Sequence, residues 1–279
     1  MKNITLLFLV FIGFGVSLLV MACANDAPMQ DDTAVGTQAV ATATDMRPMN
    51  VQKMETSVGV DDYFKFAGAS YELKLIFGGS TRFDGTIVQT GNMDKIKLQQ
   101  ENTTMVYDGD KVHISTSGEL NTKSARFSAL TWPYFFSLPF KLRDPGTNLK
   151  SIGNQEVNGV NYSRAKLTFS AGTGDAPDDW YILYFDDEQH LAAAAYIVTF
   201  GGKSVAEALA NAHAICYHKY EEVDGIQVAR NWTFHDWSEE AGWTKQIGEA
   251  SVTNVSMMKE LPSDQFAIPA GAIAAGSPM

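Results

Sequence analysis

Cysteine is almost absent from this chain of 279 residues, and its scarcity excludes a disulfide-stapled fold. The two cysteines are Cys23 and Cys216. Two cysteines form one disulfide at most, which is too few for a disulfide framework. If Cys23 is chemically modified, Cys216 has no partner at all. We then expect Cys216 to be a buried, unreactive thiol, because free cysteine packs as a small apolar residue.

Positive charge is also scarce. The chain has 21 Lys and Arg against 32 Asp and Glu, which gives a formal net charge of −11. Residues 1–22 carry only Lys2, so without them the charge becomes −12. An acidic surface repels phosphate backbones and anionic headgroups. The sequence therefore predicts no nucleic-acid partner and no membrane binding through surface charge.

Sequence signatures of catalysis are missing. The chain has no Gly-x-Ser-x-Gly elbow, no phosphate-binding loop and no His-Glu-x-x-His helix. His213 and His218 are five apart on a predicted strand, so they point to opposite faces. Cys216 shares a face with His218, but two ligands make a poor metal site. Acidic residues 178–179 and 186–188 offer oxygens to Ca²⁺, although acidic turns are usually just solvated. We predict no enzyme, cofactor or metal.

The N-terminus indicates export and lipid attachment. Lys2 precedes an apolar run at residues 4–20, and Ala22 and Cys23 end that run before a polar stretch. This order is typical of a bacterial lipoprotein signal peptide, in which Cys23 is acylated and the leader removed. A transmembrane anchor and an ordinary cleaved leader remain alternatives. Acyl chains on Cys23 would hold the protein to a membrane, and we predict the outer membrane, facing the periplasm.

Composition divides the rest of the chain. After the signal peptide at residues 1–22, residues 23–50 have no apolar period and predict a flexible tether. Residues 51–269 suit one large domain, and residues 270–279 predict a flexible tail.

Alternating apolar residues and turn signals predict an antiparallel meander. Residues 71–77 place apolar side chains on one face of a strand, and residues 82–89 and 95–100 are similar. Asp108-Gly109, Asn158-Gly159 and Asp224-Gly225 each separate two apolar runs, which is a strong hairpin signal. Residues 180–185 and 191–200 flank another polar turn. The fold class is α+β and mainly β, a large curved antiparallel sheet.

Three segments interrupt the strands. A short helix is predicted around residues 51–58, ended by Gly59, and another at residues 204–212. Residues 124–142 are rich in aromatic residues and contain two prolines. We expect helices and this segment to cover the concave face of the sheet. The apolar side chains of residues 124–142 have two alternative interpretations, ordinary core packing or the lid of a ligand cavity. They are Phe127, Leu130, Trp132, Tyr134, Phe135, Phe136, Leu138 and Phe140.

Five stretches make the chain resemble a known superfamily. They are PYFFSLPFKLRDPG at residues 133–146, DDWYILYFD at 178–186, HAICY at 213–217, VDGI at 223–226 and WTFHDW at 232–237. With the leader and the meander, they resemble an uncharacterised family of secreted bacterial proteins. The wider likeness is to the lipoprotein carriers of the LolA, LolB and LppX type.

This resemblance implies a half-barrel, an incomplete β-barrel whose helix-covered concave face holds acyl chains. It implies binding or transfer of lipid or lipoproteins, with Cys23 making the chain an anchored acceptor rather than a free shuttle. A structural or protein-interaction lipoprotein without a ligand cavity is the alternative. A hydrolase using His235 in the concave face is a third hypothesis.

Overall fold

The computed structural model describes residues 45–118 and 122–275, and of residues 122 and 123 only the backbone. The helices are α1 (Met49–Val58), α2 (Val60–Tyr63), α3 (Thr122–Ser137) and α4 (Val205–Leu209), with a 3-10 turn at Leu138–Phe140. The strands are β1 (Gly68–Phe77), β2 (Ser80–Thr90), β3 (Ile96–Gln100), β4 (Thr103–Tyr107), β5 (Val112–Thr116), β6 (Thr147–Val157), β7 (Val160–Phe169), β8 (Trp180–Phe185), β9 (Leu191–Tyr196), β10 (His213–Val223), β11 (Ile226–Ser238), β12 (Gly242–Met258) and β13 (Ile273–Ala275).

All thirteen strands belong to one antiparallel sheet. Its order is β13-β5-β4-β3-β2-β1-β12-β11-β10-β9-β8-β7-β6. Two meanders, β1 to β5 and β6 to β12, are joined where β1 pairs with β12. The sheet is open, with β13 at one edge and β6 at the other. The predicted fold class, mainly β with a large curved antiparallel sheet, is confirmed.

The order of the strands explains where α3 lies. Strand β5 is next to one edge of the sheet, whereas β6 forms the opposite edge. The segment between them must cross the whole width of the sheet, and α3 is the main part of that segment. We call the face that it covers the inner face and the opposite one the outer face.

Local chemistry sets the hairpins. In β1, Tyr71, Leu73 and Leu75 are buried while the side chains between them are exposed. The turn between β10 and β11 has positive φ at both Asp224 (52°) and Gly225 (84°). Two successive positive φ angles match the right-handed twist of paired strands, and Asp-Gly tolerates them. The hairpins predicted from the three X-Gly pairs are confirmed.

Helix α1 ends where its sequence predicts. Gly59 takes the left-handed conformation (φ 78°) that closes the helix. A β-carbon at Gly59 would come within 2.7 Å of the Gly225 carbonyl oxygen, so glycine is also required for space. The buried side of α1, Val51, Met54 and Val58, joins the core on the inner face.

The sheet carries a core on each face. The larger one lies on the inner face and includes α1, α2 and α3. The smaller one lies on the outer face, where Ala208 of α4 and Trp237 cover the alanines of β9 and β10. No helix in the described part of the chain is long and apolar enough to cross a membrane.

Several predicted boundaries differ from the structure, and the helix predicted at residues 204–212 is α4, which ends at Leu209. Residues 273–275 form β13, paired with β5, within the predicted tail at 270–279. A three-residue strand has too little sequence pattern to be recognised without its partner. Strand β9 ends at Tyr196, whereas its apolar pattern continues to residue 200. The four residues that follow leave the sheet, and Val198 and Phe200 contribute to the site described next.

Candidate functional site

A cavity of about 350 Å³ lies between α3 and the inner face of the sheet, and it is partly open to solvent. One wall comes from α3, through Phe127, Leu130, Tyr134 and Phe135. The opposite wall comes from consecutive strands β7, β8 and β9, through Phe169, Tyr181 and Tyr196. The volume is within the range of small-molecule pockets, about 300–1,000 Å³. The walls are mainly aromatic and apolar.

The C-terminal end of α3 is fixed by a side chain from the sheet. In an unbroken helix the N–H of residue 139 would bond to the carbonyl of Phe135, but Pro139 has no N–H. The hydroxyl of Tyr217 on β10 donates to that carbonyl instead, at 2.9 Å. Tyr217 thereby satisfies a buried acceptor and sets the height of α3 above the sheet.

The other end of α3 is held by an ion pair. Arg126 Nε and Nη2 donate to the two carboxylate oxygens of Asp175 at 2.7 and 2.8 Å. Arg126 Nη1 also donates to the carbonyl of Asp110, at 2.9 Å. Asp175 belongs to the loop between β7 and β8, and residues 173–176 of this loop line the cavity. We call the two parallel bonds from Arg126 to Asp175 the Arg126 fork. The fork connects α3 to the loop that borders the cavity.

Charged side chains line the cavity beside the aromatic walls. Lys141 Nζ lies 2.6 Å from Asp144 Oδ2 and donates to the carbonyl of Asn92 at 2.7 Å. Asp179 Oδ1 accepts from both the N–H and the hydroxyl of Thr199, each at 2.7 Å. Burial raises the pKa of Asp179, and the two bonds from Thr199 oppose that rise. These charged side chains of the lining thus already have hydrogen-bond or ion-pair partners within the protein.

Tyr134 has both an aromatic ring and a polar hydroxyl group. Its ring lines the cavity, 5.7 Å from the ring of Tyr181. Its hydroxyl is buried and has no hydrogen-bond partner among the described residues. Burial raises the pKa of Tyr134, and the nearby carboxylates of Asp144 and Asp179 raise it further. The hydroxyl therefore stays protonated.

The eight residues predicted as lid or cavity wall separate into two groups. Phe127, Leu130, Tyr134 and Phe135 line the cavity. Trp132 packs edge-on against Phe127, with ring centroids 5.6 Å apart, and does not line it. The remaining three are core residues: Phe136, Leu138 and Phe140. The predicted segment is at the cavity, but only half of the named side chains reach it.

The packed group is sealed by stacking. Phe136 stacks on Tyr71 with ring centroids 4.0 Å apart, and Phe140 stacks on Tyr63 at 4.1 Å. The Tyr71 hydroxyl donates to Gln89, whose amide donates to Ser137. These contacts leave no space for a ligand.

Sequence reasoning missed the wall on the sheet side. Phe169, Tyr181 and Tyr196 lie on three different strands, and only the register brings them together. Nothing in the sequence indicated that the space above them is left unfilled.

The histidines and Cys216 do not line this cavity, although His213 packs edge-on against Tyr196 with ring centroids 6.2 Å apart. Thr233, His235, His218 and Cys216 share the outer face, so the hypothesis of a concave-face hydrolase using His235 is wrong in its placement. His235 Nδ1 donates to the Thr244 carbonyl at 2.9 Å, and its Nε2 lies 3.0 Å from the Thr233 hydroxyl. Burial raises the pKa of Cys216 to about 12, so the thiol remains protonated. Over residues 45–118 and 122–275, no three His, Cys, Asp or Glu side chains gather as a metal site.

Cys23, the predicted lipidation residue, lies outside the described residues. The predicted signal peptide at 1–22 and nearly all of the predicted tether at 23–50 lie there too. Helix α1 begins at Met49, just inside the predicted end of the tether.

Comparison with known proteins identifies the fold. The sequence matches no family model and no curated protein. The structure resembles a LolA superfamily protein from Nitrosomonas europaea with a TM-score of 0.50 at 8% identity, over 77% of this chain and 97% of that chain. A DUF1329 family protein from Desulfovibrio piger gives a TM-score of 0.43 at 11% identity, over 78% and 98%. At such identities the likeness concerns the fold alone, and the protein has a LolA-like fold.

Proposed function

We propose that this protein is a membrane-anchored envelope lipoprotein whose half-barrel binds or transfers lipid, lipoprotein acyl chains or another apolar ligand. The observation that carries the proposal is the cavity between α3 and the sheet, with its volume of about 350 Å³ and its aromatic walls. Each methylene group that moves from water into such a site contributes about 0.8 kcal/mol. A chain of several methylenes is therefore a suitable occupant.

The position of the cavity supports binding rather than a packing defect. Pockets used by ligands combine apolar walls with a few polar groups near the opening. Here the aromatic walls from α3, β7, β8 and β9 adjoin Lys141, Asp144 and Asp179. The Tyr217 bond and the Arg126 fork fix the position of α3 at both ends. The cavity is thus maintained by specific contacts.

The alternative is an envelope lipoprotein with a structural or protein-interaction role and no ligand cavity. It requires a solid interior beneath α3. The part of the segment around Phe136 and Phe140 is solid, but the part around Leu130 is not. The cavity favours ligand binding.

Membrane attachment through Cys23 is the second part of the proposal. Its support is the order of charged, apolar and small residues before Cys23. Cells fed a labelled fatty acid should incorporate label into the natural chain but not into Cys23→Ser. Label in both variants, or in neither, contradicts attachment at this residue. Fractionation of the membranes then tests the predicted outer-membrane location.

A substitution that fills the cavity tests whether a ligand binds there. Leu130→Trp adds volume to the α3 wall, whereas Leu209→Trp makes the same change on the exposed surface of α4. The full chain of each variant is purified, and the lipids extracted from it are measured by mass spectrometry. Lipid held around the membrane anchor is the same in both variants, so a loss of at least tenfold of one lipid species in Leu130→Trp alone is expected. Equal lipid content in the natural chain and in both variants refutes the proposal.

A further inference from the structure

The cations near the cavity are already paired. Lys141 is held by Asp144 and by the Asn92 carbonyl. Arg126, which adjoins the cavity loop, is held in a fork by Asp175. Among the described lining residues, this leaves Asp179 as a carboxyl with no cation within ion-pair distance. Four of these five side chains line the cavity, and they carry one positive and three negative groups when all are ionised; Arg126 borders the cavity and adds a second positive group.

This balance is unfavourable for an anionic headgroup. A ligand carboxylate placed in the cavity would meet no free cation among the lining side chains, and it would be a like charge to Asp179. The exposed Lys203 acts on Asp179 from outside the lining. At an effective dielectric constant of about 20, two like charges 4 Å apart repel by about 4 kcal/mol. Because this energy falls only as the inverse of distance, a ligand carboxylate several ångströms farther from Asp179 is still repelled. Burial of Asp179 raises its pKa, which lowers this repulsion by favouring its neutral form. A neutral Asp179 still provides no positive partner.

The size of the cavity limits the apolar part of the ligand. A methylene group is close in size to a water molecule, whose share of liquid volume is about 30 Å³. A cavity of about 350 Å³ then holds about 12 methylene groups. One medium-length chain fills it, and a second chain does not fit beside the first.

We propose that the cavity accepts a single alkyl or acyl chain of about 12 carbons whose head group carries no negative charge, and that it discriminates against a free carboxylate. This inference rests on the proposed function and specifies its ligand class. The carbonyl of an ester or amide is neutral, so an acyl chain in such a linkage fits the lining, whereas the same chain as a free fatty acid does not. The discrimination comes from the paired state of Lys141 and the unpaired state of Asp179.

The test uses three probes with the same chain: dodecanol, laurate and dodecylamine. Each is titrated into the purified protein by calorimetry at 0.15 M salt, where the Debye length of about 8 Å screens the distant surface charge. Dodecanol should bind with one molecule per chain, and laurate at least tenfold more weakly. Dodecylamine should bind no more weakly than dodecanol.

Asp179→Asn identifies the residue responsible. The amide oxygen of Asn keeps both bonds from Thr199, while the charge is lost. Laurate should bind this variant about tenfold more tightly than it binds the natural chain, with dodecanol changed less than twofold. Asp178→Asn is the matched control, because it makes the same change of net charge at an exposed neighbour outside the lining. If Asp179→Asn gives too little folded protein, Asp144→Asn replaces it, since it frees the Lys141 ammonium.

The outcomes separate the inference from the proposed function. If no probe binds, the ligand cavity itself is refuted. If laurate binds the natural chain as tightly as dodecanol, or if Asp178→Asn raises laurate affinity as much as Asp179→Asn does, the charge discrimination is refuted and the proposed function stands. Two molecules of dodecanol per chain would refute the single-chain limit.

Discussion

The aromatic segment has an open half, residues 124–135, and a sealed half, residues 136–142. Both are rich in aromatic side chains, but these side chains have different surroundings. In the first half, Phe127, Leu130 and Tyr134 face a cavity, and the ring pairs of Phe127 and Tyr134 with their neighbours are 5.6–5.7 Å apart in T-shaped or tilted geometry. In the second half, Phe136 and Phe140 stack on tyrosines at 4.0 and 4.1 Å. The difference shows that aromatic content alone does not distinguish a binding wall from a core.

The two halves are also anchored differently. The sealed half is followed by Arg143, which binds the buried carboxylate of Glu55 on α1 at 2.9 Å, and Arg47 binds the same carboxylate. The open half is tied by the Arg126 fork to a loop. The first anchor joins α1 to the turn after the sealed half through a carboxylate that is 1% exposed, while the other joins α3 to a loop at the border of the cavity. We therefore expect the first to govern stability and the second to govern access.

The largest expected effect is on the stacked core. Phe140→Ala removes a ring that is 2% exposed and stacked on Tyr63, so it should lower the free energy of unfolding by about 3–5 kcal/mol. Phe127→Ala, at the half-buried wall of the cavity, should cost about 1 kcal/mol, because the ring already has open space beside it. Urea unfolding of both variants measures the difference. Equal losses would mean that the two halves do not differ in packing.

A smaller effect is expected at the anchor of the sealed half. Glu55→Gln removes the charge that two guanidinium groups share, and the Glu55 side chain is only 1% exposed. Both arginines keep some contact with water, so the loss should be about 2 kcal/mol, below the range for a fully buried pair. Probe binding in the cavity should not change. A change in probe affinity without a change in unfolding free energy contradicts this assignment.

Of the two anchors, that of the open half should have the smaller effect on stability. Arg126→Met keeps the apolar stem but removes the fork to Asp175, and should cost about 1.5 kcal/mol, because Asp175 is 21% exposed and its carboxylate regains contact with water. The freed loop should release an apolar fluorescent dye several-fold faster, as measured by stopped-flow displacement. Arg164→Met is the control, since Arg164 pairs with Glu239 and does not line the cavity. The same release rate in both variants would show that the fork does not restrict access.

Much of the fold could be predicted from short sequence patterns such as helix-ending glycines and hairpin turns. Gly59 ended α1 where a left-handed residue was expected, and Asp224-Gly225 closed a hairpin through its positive φ angles. The role of residues 124–142 as a cover followed from the need to shield an apolar sheet face. In contrast, β13 was missed because its three residues are stabilised by pairing with β5 rather than by their own pattern.

The candidate site was predictable only in part. Leu130 and Leu138 are both apolar residues of one segment, yet one lines the cavity and the other is core. The sequence cannot distinguish them, because the distinction depends on what the opposite strands place beneath α3. Lys141 is similar, since its pairing with Asp144 is what removes it as a partner for an anion.

The sequence by itself determined most of the strands, the hairpin turns, the end of α1 and the choice of a cover for the sheet, because these depend on residues close together in the chain. The tertiary structure decided where the cover fails to fill the space beneath it. It also decided that Tyr217 replaces the N–H missing at Pro139, and that Arg126 and Lys141 are paired with carboxylates while Asp179 has no cation within ion-pair distance. These outcomes depend on contacts between residues far apart in the chain, and contacts of that kind set the shape and charge of a cavity.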